Sequence, residues 1–568
     1  MILRFHELYF KNLLSFSEVK IKLDQTNIIV GPNNSGKTNI LRLLEIFSNN
    51  NSPLSVLRLH KNMKNDKQKE SIIGFDIELT EEESKFLLQM IFRREISEQI
   101  PLHFRKIRIL MKWENVIDDE PAPNYLIVRF ENSLTAAGDE QLKFFGTKES
   151  DWKYLSNIAL TKLWEKGRSL DGNPSFSFTN KDFQDKILSR KFVDLAGDNA
   201  YLVHEVKADL THRPNSKIDS DVFEFLDVKK EHGTFITIWY FLSKILKNNI
   251  VIVKDTRPTI DYLADGIHKW RDENEAEYQN LKNDFRSLFP NTTFHLQKTD
   301  SPKRTTILIL ENGKNIPLEN SASGYFAGLY LLFTIYGEKE TTLFFDEPET
   351  HFHPTKLIVV SNKLSELAAT NRNQLTIITH SPALLDFSMF QNETFNVIYM
   401  KREKDVSKVY QPHEEFVPKI ISHHFDSSVF FERSCIIVEG PSDEYVMKAI
   451  SDSYKQLLKK SSIALVNAGG KDQVEPFVKL LKEYGIPYVA MVDSDYNGFS
   501  EGVIKLDLDL ESELEKLGWK RKIDKNGKEK IRAEKAYSFI INYLKDQSKK
   551  PEFEKSSFWR VIQSIIQN

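Results

Sequence analysis

The first 130 residues alternate between apolar and polar positions over short runs. Residues 2–10 and 19–30 read as strands, the second ending in the buried-strand sequence NIIV. A glycine-rich turn follows, and from Asn39 to Phe47 the apolar positions recur at helical spacing. The Asn- and Lys-rich stretch from Ser48 to Glu70 predicts an exposed loop. Alternation resumes at 71–79, 105–113 and 124–131, the pattern of meander strands with one face on a core.

Beyond residue 150 the periodicity turns mostly helical. Residues 235–246 (FITIWYFLSKIL) are apolar almost all round and predict a helix buried between subunits. Residues 265–289 predict one charged amphipathic helix closed by Pro290, 305–310 a strand, and 324–336 a second helix. The runs 341–345 and 374–379 are continuously apolar, as strands buried on both faces of a parallel sheet must be. Near Ser434 the pattern restarts. CIIVEG, SIALVNAGG and YVAMVDSD are each followed by helical sequence, which puts a domain boundary near 415–432 and predicts an α/β fold.

Composition narrows the class. With 40% hydrophobic residues the 568-residue chain can bury real cores, which excludes wholesale disorder. Its 78 basic and 81 acidic residues leave a net charge of −3, so any surface for nucleic acid has to be local. The lone Cys435 excludes a disulfide framework and a cysteine-based zinc site, and its apolar setting predicts a buried thiol. No run reaches the roughly 18 apolar residues of a membrane span, and the start lacks the uninterrupted apolar region of a secretory signal. The expectation is a cytoplasmic protein with no membrane contact.

The first chemical constellation is a nucleotide site. Gly31-Pro32-Asn33-Asn34-Ser35-Gly36-Lys37-Thr38 fits G-x-x-x-x-G-K-[ST] between a strand and a helix. There backbone N–H groups wrap phosphate oxygens, Lys37 reaches the terminal phosphates of ATP and Thr38 holds Mg2+. LFFDEPETHFHP then ends an apolar strand with Asp346, placed for the same Mg2+, and Glu347, placed to polarise the attacking water. His380 ends another apolar strand, where it can sense the γ-phosphate; His353 and Gln391 read as structural. Taken in order, these motifs resemble the ABC-type ATPase head of SMC-like and RecF-like proteins. That resemblance puts the family's signature serine at Ser323, in SASGYFAG, which departs from the usual Ser-Gly-Gly-Gln form. It also implies a homodimer or higher homo-oligomer, because the family's signature serine contacts nucleotide bound to the opposite head.

The second constellation is a set of carboxylates. Glu439 ends one apolar strand, and Asp493 and Asp495 end another. Parallel strands deliver such ends to one sheet edge, where converging carboxylates call for a hard cation such as Mg2+ or Mn2+. The E-G-x-x-D and D-x-D pieces resemble the Toprim domain of topoisomerases, primases and OLD-family nucleases, with Asp443 one helical turn beyond Glu439. Asp509 and Glu511 match the extra acidic motif of the OLD nucleases, and two carboxylate clusters would serve two metals. The same resemblance makes Lys535 the candidate late catalytic lysine, with Lys530 close by, and Lys471 is a further candidate phosphate contact. Residues 514–550 carry twelve Lys and Arg against five acids, a local basic flank that suits a polyanion.

A head joined to a Toprim domain is the arrangement of the OLD family, which includes anti-phage defence proteins such as the Gabija nuclease and retron effectors. The resemblance implies an ATPase head over 1–150 and 251–420 and a Toprim nuclease with basic C-terminal helices over 430–568. The apolar helical sequence of the insertion between the head's two parts, 151–250, exceeds what a small insert would bury and predicts a dimerisation element. It implies an ATP-regulated, Mg2+-dependent DNA endonuclease. Possible partners are DNA, a helicase-like protein, or a reverse transcriptase with noncoding RNA. Two other readings stand beside it. One is a nucleotide-gated DNA clamp with a non-catalytic Toprim scaffold; the other is a primase or topoisomerase, for which Tyr496 lies beside the D-S-D sequence but no recognisable second module supports its role as nucleophile.

Overall fold

The computed structural model describes residues 5–48, 61–64, 66, 69–92, 105–113, 125–130, 205–209, 242, 245–254, 259–300, 303–385, 395–411, 427–498, 501–507, 509–520 and 532–567. Alternating sequence gives an antiparallel sheet. It comprises β1 (Phe5–Leu13), β2 (Phe16–Lys22), β4 (Ser71–Glu78), β5 (Lys106–Trp113), β6 (Tyr125–Phe130) and β7 (Glu205–Asp209), in the order β2-β1-β4-β5-β6-β7. Continuously apolar sequence gives a second, mainly parallel sheet. Its strands are β3 (Thr26–Val30), β8 (Ile250–Val253), β12 (Thr342–Asp346), β13 (Gln374–Ile378), β14 (Phe395–Glu403) and β15 (Val406–Tyr410), in the order β15-β14-β3-β13-β12-β8. A three-stranded meander, β9 (Thr292–Asp300), β10 (Lys303–Glu311) and β11 (Lys314–Pro317), stands apart.

Three sequence expectations change here. The run 19–30 is two strands in two sheets, because its alternating VKIK half needs one buried face and its NIIV half needs two. The helix expected over 265–289 is two, α3 (Ile260–Glu273) and α4 (Glu275–Leu288), broken at Asn274. Asn274 leaves helical geometry at φ −149°, and its side chain accepts from the Glu277 N–H at 3.3 Å, capping the second helix. Within the expected helical insertion, Glu205–Asp209 is an edge strand on β6, and Leu242, Ile245 and Leu246 are buried in the head's own core. The rest of 151–241 lies outside the described residues, as do Gln391 and Lys530.

The parallel sheet has two packed faces. Ile29, Phe344 and Ile378 face α1 (Lys37–Ser48) and the antiparallel sheet, whose β4 is followed by α2 (Glu81–Phe92). Ile28, Phe345 and Ile377 share a core with α3, α4, α5 (Ser323–Gly337) and α6 (Pro354–Thr370). That second core continues into a fourth sheet, all parallel, of β16 (Ser434–Val438), β17 (Ile463–Asn467), β18 (Tyr488–Val492) and β19 (Val503–Lys505), in the order β17-β16-β18-β19. Its other face packs on α7 (Pro441–Ser453), α10 (Leu510–Lys516), α11 (Ala533–Lys545) and the C-terminal helix Ser557–Gln567, while α9 (Lys471–Glu483), following a short α8 (Leu457–Lys460), joins the side shared with the head. Cys435 is fully buried, as its setting predicted. Among the described residues no helix is long and apolar enough to cross a membrane.

Candidate nucleotide and metal sites

Strand register assembles the nucleotide site. Ile29, Ile378 and Asp346 lie abreast across β3, β13 and β12, so the loop 31–38, His380 and Glu347 leave the same edge side by side. Gly31 takes φ +146° and Gly36 φ +100°. A Cβ at Gly31 would run into the carbonyl oxygen of Met400, and one at Gly36 into the hydroxyls of Ser407 and Ser15. Only glycine satisfies both the backbone and the space.

Lys37 is 2% exposed and folds back on its own loop, donating to the Gly31 carbonyl at 2.6 Å, the Pro32 carbonyl at 3.0 Å and the Ser35 hydroxyl at 3.3 Å. Burial pulls its pKa down to about 8, against the opposing pull of Glu347, Glu349 and Asp346. Asp346 is pushed up to about 6 by burial and by Glu347, and its Oδ1 is buried with no hydrogen-bond partner. A buried carboxylate oxygen lacking a donor, beside a loop that ends in Thr38, fits a divalent cation. Asn33 and Asn34 are exposed on the loop, whereas Ser35 is buried.

Glu347 sits in the left-handed region at φ +49°, held by its N–H to the Ile378 carbonyl at 2.8 Å. Such a conformation is strained for a residue with a Cβ. Its Oε1 lies 3.2 Å from His380 Nε2, and burial beside Lys37 holds His380 below the ordinary histidine range. One partner escaped the sequence reading. Glu349 Oε1 accepts from the Thr379 hydroxyl at 2.6 Å and from the His380 N–H at 2.8 Å, fixing where the histidine backbone leaves β13. The signal was present: Glu349 follows Glu347 by two residues in an acidic turn. Ser323 opens α5, and a Cβ on the adjacent Gly324 would lie 3.2 Å from the His351 carbonyl. A shallow cleft between α5 and β12 is lined by Lys254, Tyr330, Asp346 and Glu347 among others.

The carboxylate site forms at the C-terminal edge of the fourth sheet. Glu439 Oε1 accepts from the Asp493 N–H at 2.8 Å, tying the ends of β16 and β18 together. Asp443 caps α7 by accepting from the Gly440 N–H at 3.2 Å. Burial, then Asp493 and Glu439, push its carboxyl up to about 7. Asp493 is pushed up to about 6 by burial, then by Glu439, Asp509, Asp495 and Glu511. These are the marks of acids crowded on one edge, and hard oxygen donors of this kind suit Mg2+ or Mn2+.

The set is not uniform. Asp495 is turned aside: its Oδ1 lies 2.8 Å from Lys471 Nζ, which also donates to the Asp495 carbonyl at 2.7 Å. Asp509 Oδ1 caps α10 through the Ser512 N–H at 2.7 Å. Among the described residues no three His, Cys, Asp or Glu side chains close into a ready metal cage. Lys535 stands in the first turn of α11, whose buried face shares a core with α7. Glu513 and Asp507 are structural, Glu513 buried against Lys516 at 2.9 Å and Asp507 paired with Lys516 and Arg560. Tyr496 is 3% exposed with its hydroxyl buried, which removes it as a nucleophile for strand transfer.

Residues 3–385 match the family described as AAA ATPase domain, and residues 430–495 match the Overcoming lysogenization defect protein-like TOPRIM domain. The OLD nuclease of Thermus scotoductus is 27% identical over 184 residues, 30% of this chain and 34% of that protein. Endonuclease GajA of Bacillus cereus is 21% identical over 557 residues, 86% of this chain and 74% of that protein. The chain thus spans about a third of the Thermus protein and about three quarters of the Bacillus one. Among solved structures, the Smc head domain of Pyrococcus furiosus aligns at 15% identity and a TM-score of 0.36, covering 72% of this chain and 97% of that one.

Proposed function

The chain belongs to the AAA ATPase domain family and carries an OLD-like TOPRIM domain behind its head, and from that premise we propose that it is a nucleotide-regulated, divalent-cation-dependent DNA endonuclease. The observation that carries the reading is the convergence of Glu439, Asp443 and Asp493 on one sheet edge, where Asp493 and Glu439 push the Asp443 carboxyl up and Glu439 pushes Asp493 up. The relatives named OLD nuclease and endonuclease GajA support it.

Divalent cations held by Glu439, Asp443, Asp493 and the facing Asp509 and Glu511 would supply Lewis acidity for phosphodiester hydrolysis. The protein's own part is positional. The Asp493 N–H fixes one oxygen of Glu439 at the end of its strand. Asp443 stores a proton near neutrality, to be released when a cation arrives. Lys535 and the basic flank would meet the polyanion.

In the head, Lys37 would leave the Gly31 and Pro32 carbonyls for ATP phosphates, and Asp346 with Thr38 would hold the nucleotide's Mg2+. Glu347, aligned by His380, is the group that would orient water. Pairing of two heads through Ser323 belongs to the same reading, as does a role in defence against phage.

The test is cleavage of supercoiled plasmid in Mg2+ or Mn2+, with and without ATP, by the wild type, Lys37→Ala and Asp493→Ala. Nicking or linearisation by the wild type that Asp493→Ala loses and Lys37→Ala changes only in its response to ATP supports the reading. ATP-dependent retention of DNA with no strand breaks replaces the nuclease by a clamp.

A further inference from the structure

The strand order leaves Lys471 in an unusual place. β17 and β18 are not neighbours; β16 lies between them, and strands stand about 4.8 Å apart. Lys471 opens α9 at the β17 side, yet its ammonium bonds the turn after β18, at both the Asp495 carbonyl and carboxylate. Between the two runs β16, the strand that delivers Glu439. The Glu439 and Asp493 carboxylates both act on this ammonium.

We propose that Lys471 is a phosphate-binding residue of the cleavage site, held over the carboxylate edge by Asp495, whose role is to position it. This rests on the nuclease reading above. A phosphodiester approaching an edge that carries Glu439, Asp443, Asp493, Asp509 and Glu511 meets like charge, which resident cations offset only in part. Lys471 puts a positive group on that edge before substrate arrives. An ammonium has three donors; Asp495 engages two, and one is left for a phosphate oxygen.

The experiment compares the full-length wild type, Lys471→Gln and Lys471→Arg. Binding of a fluorescent 20-base-pair duplex is titrated against salt in Ca2+, plasmid cleavage is timed in Mg2+, and Mn2+ affinity is measured by calorimetry. The expected result is a salt dependence of binding shallower by about one for Lys471→Gln. Cleavage should slow about tenfold or more, Mn2+ affinity should stay unchanged, and Lys471→Arg should recover most of both losses. Unchanged salt dependence and cleavage in Lys471→Gln overturn the assignment and leave the nuclease reading standing. Lost Mn2+ affinity overturns it too, since Lys471 would then act through the cation site. If the wild type itself cuts nothing, the nuclease reading fails, and the salt dependence alone decides whether Lys471 binds phosphate.

Discussion

The Ser407 hydroxyl donates to that of Ser15 at 2.6 Å, and the pair is packed directly against Gly36 of the phosphate loop. Ser407 also bonds the Ser15 carbonyl through its N–H at 2.8 Å, and Asn39 of α1 donates to the Ser15 hydroxyl at 2.8 Å. Ser407 belongs to the β14–β15 hairpin, which pairs with β3 inside the head sheet and also reaches the TOPRIM domain. Tyr399 and Tyr410 pack toward Tyr484, and Lys401 donates to the Gly485 carbonyl at 2.5 Å. One hairpin therefore touches the phosphate loop at one end and the TOPRIM domain at the other.

Gly36→Ala should abolish nucleotide binding, because its Cβ enters the space of both hydroxyls at a φ of +100°. The strain should cost about 1–3 kcal/mol of stability. Ser407→Ala in the same chain should restore part of the melting temperature, since it removes one of the two obstructing oxygens. Thermal melts of the single and double variants, with binding of a fluorescent ATP analogue, check both statements.

Tyr484 is the keystone of the joint between the two domains. It is fully buried, donates to the Val397 carbonyl at 3.3 Å, and meets the ring of Phe430 edge-on at a centroid distance of 4.8 Å. Tyr484→Ala should destabilise the chain by about 3–5 kcal/mol through the cavity it leaves. Tyr484→Phe, which removes only the hydroxyl, should cost about 1 kcal/mol. Denaturant midpoints followed by intrinsic fluorescence separate the two.

The parts legible in sequence were those whose chemistry is local. The phosphate loop, Asp346-Glu347 and Glu439 each sit at the end of an apolar run, so position along the chain gives position on the sheet edge. The hairpin was missed, although Lys404 and Asp405 form a two-residue turn with both φ positive between apolar runs, the geometry that favours tight hairpins. Its two ends make sense only against residues hundreds of positions away. Asp495 shows the same limit. The D-x-D spacing places it beside Asp493, but only the strand order reveals that a lysine from β17's side claims it. The break at Asn274 was overlooked because the apolar period runs on across it.

Glu349→Ala should lower ATP turnover about a hundredfold while leaving ATP affinity nearly unchanged. The side chain holds Thr379 and the His380 N–H, and so sets the distance between His380 and Glu347. Small displacements of a group that orients a reactant cost about that much. Glu349→Gln keeps an acceptor at the same place and should retain most turnover. Steady-state phosphate release gives kcat and KM separately, and an effect confined to KM would assign Glu349 to nucleotide binding instead.

The acidic edge makes stability depend on pH and on divalent cations in a defined direction. Asp443 and Asp493 are raised to about 7 and about 6, whereas in the unfolded chain both titrate near 4. Between pH 4 and 7 the native state therefore binds more protons than the unfolded one, and stability falls as pH rises through that window. The contribution is complete below about pH 4 and gone above about 7. A cation replaces those protons, so Mn2+ should raise the melting temperature more at pH 8 than at pH 5.5. Asp443→Asn should flatten the pH dependence, because the group that gains the most from protonation no longer titrates. A melting temperature indifferent to Mn2+ at pH 8 would mean that these carboxylates do not form a cation site, whatever the fate of DNA cleavage.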